Sequence, residues 1–473
     1  MLEGKGYRDI YKPGEPIHTL YPFGYPLLLV PVMAVFKGSY VALKMLSLLL
    51  GAGSVIVAFL LLRDDHPAPV VWSVSGLFAI SPLLLEYSHW ILSDVPFLFF
   101  SLLGLLLAKR SDTDSKLISP VFLACLVCIA FVYFIRPVGA ALILGFLLHL
   151  FLRKKHKRGL IALAVFGMLL APWAVRNAKA SGGEGYIAPM VLKDPYDATS
   201  GMIGVKDLIE RVGSNAETYF LVAFPKNVVT SHRRIWPFPR RSWDMYVAGF
   251  AISALVLAGF AADFGGRMGL THYYLIFFVG TLLVWPEVWA TDRFILPVVP
   301  FLLLYFLLGG LLLFRKATAP TRRKVGLVVV TVLALGSLHL VARGAPGNLQ
   351  LIREYSGGNR FAGYTADWIN FYETAAYASR FTPSDAVFMV RKPGLFYLFA
   401  DRKCVAYPFT PEKDAIMAAM DEYGVSYVVV DAFAWTQTTL KYLVPALVAH
   451  EEDFAIVYST GAPRTLVLRR QGG

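Results

Sequence analysis

The chain has 473 residues, of which 56% are hydrophobic and only 16% charged, and its mean hydropathy is +0.56. No soluble domain of this length needs so much apolar surface, so the composition excludes a soluble globular class and indicates a polytopic α-helical membrane protein. The formal net charge of +13 would suit a nucleic-acid binder, but the basic residues sit on short loops between apolar runs. Membrane topology and anionic lipid account for them, and no nucleic-acid partner is expected.

Residues 1–22 are polar and aromatic, and 25–36 form an apolar run too short to cross a bilayer, which reads as interfacial or re-entrant. Ten runs then approach the roughly 20 residues a spanning helix needs: 39–62, 69–86, 94–108, 117–135, 137–152, 159–176, 246–264, 271–290, 293–314 and 325–342. Basic residues sort onto alternate loops. They are Arg63, then Lys109, Arg110 and Lys116, then Arg153, Lys154, Lys155, Lys157 and Arg158, then Arg267, and last Arg315, Lys316, Arg322, Arg323 and Lys324. The positive-inside rule makes that side cytoplasmic. A membrane domain over 1–342 therefore carries a first external loop at 1–38 and a second at 177–245. The chain is expected in the cell (inner) membrane, multi-pass, with its C-terminal part outside. An external N-terminus with no span before it is hard to insert, so a missing first helix is expected.

The 177–245 loop contains an amphipathic stretch at 205–212 and a basic aromatic one at 232–241, both expected to lie on the membrane surface. Beyond 342 the composition becomes that of a soluble domain. Helices at 367–381, 411–423 and 438–450 alternate with strands at 386–391, 426–431, 454–459 and 465–469, which predicts a small extracytoplasmic α/β domain over 343–473. Cys125 and Cys128 have C-x-x-C spacing but lie within an apolar run, so they read as packed helix residues rather than a redox or zinc site.

Charged residues at the edge of an apolar span are costly, and they generally have a partner or a task. Four external places stand out: Gly4-Lys5-Gly6-Tyr7-Arg8-Asp9 running on to Tyr21-Pro22-Phe23-Gly24-Tyr25-Pro26; Glu86 to His89 through Ser93-Asp94-Val95-Pro96; Arg136-Pro137 with Pro172-Trp173-Ala174-Val175-Arg176-Asn177; and Thr291-Asp292-Arg293. Arginines gathered there would bind an anionic headgroup through paired hydrogen bonds. Each also has a plainer reading. Arg136 and Arg176 could snorkel to water, Asp292 and Arg293 could form a local pair, and Asp94 could cap its helix. The i, i+5 spacing of His89 and Asp94 does not put them on one helix face. No HExxH, P-loop or GxSxG motif is present, Gly4-x-Gly6 is too short for dinucleotide binding, and no metal cluster or cofactor is expected.

Taken in order, Gly-x-Gly-Tyr, Tyr-Pro-Phe-Gly-Tyr-Pro-Leu-Leu-Leu, Leu-Ser-Asp-Val-Pro-Phe, Pro-Trp-x-x-Arg-Asn and Asp-Arg-Phe-Ile-Leu-Pro-x-x-Pro resemble the GT-C glycosyltransferases. The branch most similar is that of the protein O-mannosyltransferase-like and lipid A aminoarabinose transferase-like membrane enzymes, over most of residues 4–314. The resemblance implies transfer of a sugar from a polyprenyl-phosphate donor to a glycan, lipid or protein acceptor outside the cytoplasm, with membrane lipid as a further partner. It implies an acidic base in the first external loop, for which Asp9 is the candidate, although Asp9 and Glu15 lie downstream of the family's expected place. Asp94 matches the acid at the start of a later span and is expected to position donor or acceptor. Arg136 and Arg293 are the phosphate-binding candidates, with Lys12 and His89 beside them. Two rivals have different signatures. A transporter or flippase of lipid-linked glycans should carry ionisable groups near span midpoints, and a non-catalytic scaffold should tolerate loss of the arginines.

Overall fold

The computed structural model describes residues 1, 4–180, 188–229, 243–435 and 437–471. The basic aromatic stretch at 232–241 lies outside the described residues. Each of the ten expected runs falls on a helix. Five of these helices are long and apolar enough to cross a membrane alone: Tyr40–Leu62, His156–Ala180, Trp243–Arg267, Asp292–Leu313 and Ala319–Ser356. Ala68–Ala79 and Pro82–Ser88 make a sixth if taken together across their 48° bend. That bend falls where Pro82, lacking an N–H, starts a new helix rather than continuing the old one. Gly24–Phe36, Pro120–Ile135, Pro137–Leu152 and Leu270–Val284 are shorter apolar helices.

The bundle holds together by close fit, because lipid tails are as apolar as leucine and burial alone drives little association. Trp243–Arg267 and Val299–Leu313 approach so closely that a Cβ at Gly259 would lie 2.0 Å from the Tyr305 carbonyl oxygen. One at Gly309 would lie 2.0 Å from the carbonyl oxygen of Leu255. Cys125 and Cys128 are buried free thiols against the helix Asp94–Asp112, near the carbonyls of Gly104 and Phe100, in keeping with a packing role. The helix Val205–Ala216 turns Val205, Leu208 and Ile209 outward as an exposed apolar stripe, the geometry of a helix that rests on lipid. Its Arg211 turns inward onto the carbonyls of Met190 and Leu192.

Ala319–Ser356 runs through the expected domain boundary as one helix, with only Leu333 and Ser337 buried along it. The soluble part that follows contains five strands: β1 (Val387–Met389), β2 (Lys403–Val405), β3 (Tyr427–Val430), β4 (Phe454–Ser459) and β5 (Leu466–Arg470). Their order is β2-β1-β3-β5-β4, parallel from β2 to β3 and antiparallel from β3 to β4. Alternation sorts the two faces. Phe388, Cys404, Tyr427, Val429 and Val467 join one core with Phe371 and Phe396, while Met389, Val405, Val428 and Leu468 join another with Ile416, Met420 and Leu443. The sequence reading did not anticipate the helix Pro393–Ala400 and β2. Both are short, and β2 has only three residues of pattern to read.

The first loop is clamped between the two parts. Arg176 donates to the carbonyls of His18 (2.9 Å) and Tyr7 (3.0 Å) from the membrane side. From the soluble side, the Cys404 amide donates to the Tyr11 carbonyl (2.6 Å) and Lys403 pairs with Glu15 at 2.8 Å. The loop thereby covers β2, an edge strand whose outer backbone groups would otherwise be open. Its far end is seated at Gly24, where a Cβ would fall 2.5 Å from the Phe134 backbone, two residues before Arg136. Gly24→Ala should therefore destabilise the fold by about 1–3 kcal/mol, read as a lower melting temperature in detergent. Gly76→Ala, where a Cβ meets nothing within 4 Å, should leave the melting temperature nearly unchanged.

Candidate active site at the outer end of the bundle

Asp94 is the first residue of the helix Asp94–Asp112, and Arg136 ends Pro120–Ile135 in an extended conformation. Chain ends of two antiparallel neighbours thus meet, and the Arg136 guanidinium donates to the Asp94 carboxylate, which is 3% exposed. Ser93, not Asp94, is the N-cap residue. Asp94 still suits the positive N-terminal end of its helix, and it neutralises and aims Arg136. Arg293 belongs to the 3-10 turn Asp292–Val298 that opens the next spanning helix.

Phe294 joins the two arginines. Its ring centroid lies 5.1 Å from the Arg136 guanidinium carbon and 5.0 Å from that of Arg293, so the two cations are no farther apart than the sum of those distances. Residues 157 positions apart in sequence thereby lie against one ring. The Arg293 Nε is buried and has no hydrogen-bond partner among the described residues. A buried guanidinium donor without an acceptor is costly unless a ligand supplies one.

The first loop reaches this pair through aromatic rings. His18 stacks on Tyr21 with ring centroids 5.9 Å apart. Desolvation raises the Tyr21 phenol, and Arg293 and Arg136 act against it, which places both charges near that hydroxyl. Behind His18, Asp9 lies 2.5 Å from Nδ1, with Lys12 3.3 Å away on the other oxygen. His18 Nε2 accepts the Tyr21 backbone N–H at 3.0 Å, so in the neutral ring the proton sits on Nδ1 and points at Asp9. Burial pushes the Asp9 carboxyl up, but the hydrogen bonds and charges of His18 and Lys12 outweigh it and hold the group below the ordinary carboxylate range.

The six expected residues thus divide. Asp94, Arg136 and Arg293 meet at one cluster, and Asp9 and Lys12 meet at a second one joined to it through His18 and Tyr21. His89 is exposed at the end of Pro82–Ser88, its Nδ1 against the Leu85 carbonyl (3.2 Å) and its ring beside Trp90. That is a helix-ending role. Arg176 spends its guanidinium on the loop carbonyls.

Several neighbours went unseen in the sequence. His18 lies in a proline-rich loop with no period to fix its direction. Lys226 follows the π-helical turn Glu217–Ala223, and the carboxylates that act on it, Asp292 and Glu86, come from distant segments. Arg391 and Lys392 leave β1 of the soluble domain, where Arg391 lies against Tyr196, Phe409 and Trp435. The only signal for them was a basic pair directly after a strand.

A family model for dolichyl-phosphate-mannose-protein mannosyltransferases matches residues 28–175. None of the curated proteins matches the sequence. Among solved structures, the chain is similar to the archaeal oligosaccharyltransferase AglB from Archaeoglobus fulgidus, in complex with an inhibitory peptide and a dolichol-phosphate. The TM-score is 0.56 at 13% identity, covering 98% of this chain and 67% of that one. It is also similar to ArnT from Cupriavidus metallidurans bound to undecaprenyl phosphate, with a TM-score of 0.52 at 12% identity, covering 94% and 87%. The apolar helices and these matches define an integral membrane protein with a small soluble sheet domain. Its fold is that of the GT-C superfamily of membrane glycosyltransferases, as the motif resemblance implied.

Removing Arg136 would strand the buried Asp94 carboxylate. Arg136→Ala should cost about 3–5 kcal/mol of stability, measured by thermal or denaturant unfolding in detergent. The double variant Asp94→Asn/Arg136→Gln, which leaves no unpaired charge, should recover most of that loss.

Proposed function

We propose that this protein is a glycosyltransferase that moves a sugar from a polyprenyl-phosphate donor to an acceptor outside the cytoplasm. The observation that carries the reading is the pair Arg136 and Arg293 around Phe294, with a buried, unpartnered Arg293 Nε. The family-model match and the lipid phosphates named with AglB and ArnT support it. Nucleotide sugars are cytosolic, so a site that opens outward needs its activated sugar delivered on a lipid.

In this reaction the acceptor oxygen bonds to the anomeric carbon while the bond from that carbon to the phosphate oxygen breaks. The bonding electrons leave on the phosphate, whose charge grows. Arg293 and Arg136 are aimed at that growing charge and favour the transition state over the ground state. The acceptor proton goes to a base, and Asp9 of the first loop is the candidate carboxylate for it. His18 and Lys12 hold Asp9 ionised, and their hold makes it a weak base until the acceptor hydroxyl displaces one of them. Lys12 is then free to turn toward the phosphate side. Asp94 acts by aiming Arg136. The reading does not need His89.

The charge pattern argues against a flippase. The ion pairs Asp112 with His149 and Lys155, and Asp263 with His272, sit at helix ends, as do Asp94 and Arg136. Among the described residues most of these spans carry their ionisable groups at the ends, with Lys44 near the start of Tyr40–Leu62 a partial exception.

Arg293→Ala should lower transfer from a polyprenyl-phosphate sugar by about 100- to 1000-fold without lowering the melting temperature. Asp9→Asn should lower turnover while donor binding persists. Transfer by purified protein should be unaffected by EDTA. A scaffold would keep its phenotype in Arg293→Ala cells, and neither a scaffold nor a flippase would show transfer in any variant.

A further inference from the structure

The parallel part of the soluble sheet runs β2-β1-β3, so β1 leaves toward β2 and β3 lies on its other side. The helix after β1, Pro393–Ala400, packs into one face's core through Phe396 and Ala400. The helical segment after β3 packs into the other face's core through Tyr442 and Leu443. The two exits diverge at the carboxyl ends of β1 and β3. In open α/β sheets this switch point is where ligands bind.

The residues at that switch point are Arg391 and Lys392 after β1, and Asp431 and Trp435 after β3. Arg391 is 8% exposed, its Nε has no hydrogen-bond partner, and neither cation forms an ion pair among the described residues. The Arg391 guanidinium carbon lies 4.8 Å from the Phe409 ring centroid and 5.6 Å from those of Tyr196 and Trp435, while Lys392 Nζ is 4.4 Å from Trp435. Tyr196 comes from the 177–245 loop of the membrane domain, so that domain meets the soluble one at Arg391. The Asp431 carboxylate is occupied by the Thr439 hydroxyl (2.9 Å) and the Phe433 amide (3.2 Å). It offsets part of the charge without bonding to either cation.

We propose that Arg391 and Lys392 form an anion-binding subsite of the soluble domain that faces Arg293 and takes a phosphoryl group. A guanidinium with an unused donor, a neighbouring ammonium and aromatic walls suit a phosphate with a sugar ring beside it. Lys392 shares its surroundings with Arg293: burial pushes its ammonium down to about 8, Arg391 and Arg293 add to that, and Asp431 opposes it. The anion is either the donor's lipid-borne phosphate, gripped from above while Arg136 and Arg293 hold it from below, or a phosphate on the acceptor. The first source rests on the transferase reading, and the subsite itself does not.

The test uses the full chain in nanodiscs, with undecaprenyl phosphate and inorganic phosphate as separate probes. Lys392→Gln and Arg391→Gln should weaken one of them by about tenfold or more, the worth of one lost charge-assisted hydrogen bond. Unchanged melting temperatures would exclude unfolding, and Lys392→Arg should restore affinity. Wild-type affinity should fall as pH rises through about 8, because Lys392 binds anions only when protonated. Lys392→Arg should remove that fall, because the other groups of the site, Arg391, Arg293, Asp431, Tyr21 and Tyr407, are the same in both proteins. Loss of the lipid probe assigns the subsite to the donor, and loss of inorganic phosphate alone assigns it to a free or acceptor phosphate. Wild-type affinity for both probes in both glutamine variants overturns the proposal. Undecaprenyl phosphate binding unchanged in Arg293→Ala would instead defeat the transferase reading, and leave the subsite to be judged by inorganic phosphate.

Discussion

A guanidinium at the rim of an apolar bundle has to be neutralised by a carboxylate, spent on carbonyls, or left for a ligand, and three arginines at this rim each take a different course. Arg136 is neutralised by the buried Asp94. Arg176 is spent on the carbonyls of Tyr7 and His18. Arg293 keeps a buried Nε with no acceptor among the described residues. The division follows from desolvation: the cost of burying a charge falls when a partner is built in, and it stays as binding potential when none is. The rest of the outer end is arranged around that distribution, from the glycine contact that seats the first loop beside Arg136 to the aromatic ring that both cations share.

The same logic ties the soluble domain to the membrane part. Its edge strand is covered by the first loop, its Lys403 pairs with Glu15, and Tyr196 of the 177–245 loop stands against Arg391. Lys441 pairs with Asp197 at 3.0 Å and the Tyr442 hydroxyl donates to the Tyr196 carbonyl at 2.8 Å, adding a second hinge of contact. These contacts hold the soluble domain against the end of the bundle that carries the cluster. Where protein contacts exclude water, charge interactions strengthen.

Much of the architecture could be read directly. Hydropathy located helices at all ten expected runs, and the strands at 454–459 and 465–469 were placed within a residue. What hydropathy overstated was how many of those helices meet the length and apolarity of a lone span, because a helix packed inside a bundle is as apolar as one that crosses by itself. Asp94, Arg136 and Arg293 were legible because a charge interrupting an apolar run is conspicuous. His18, Lys226 and Lys392 were not, because in a polar segment a titratable residue is unremarkable until its neighbours are known. His89 shows the converse: it stood out beside a span, and its ring closes its own helix.

Sequence by itself determined the class of solvent this chain lives in, the ends at which its charges gather, and the α/β character of its tail. Those depend on composition and on local period, which every short window carries. Only the tertiary structure decided that Arg136 and Arg293 share Phe294, that Asp94 is a partner and not a cap, and that Arg391 after β1 lies against Tyr196 of the membrane part. Such facts are set by close packing between segments more than 100 residues apart, and no local window of sequence contains them.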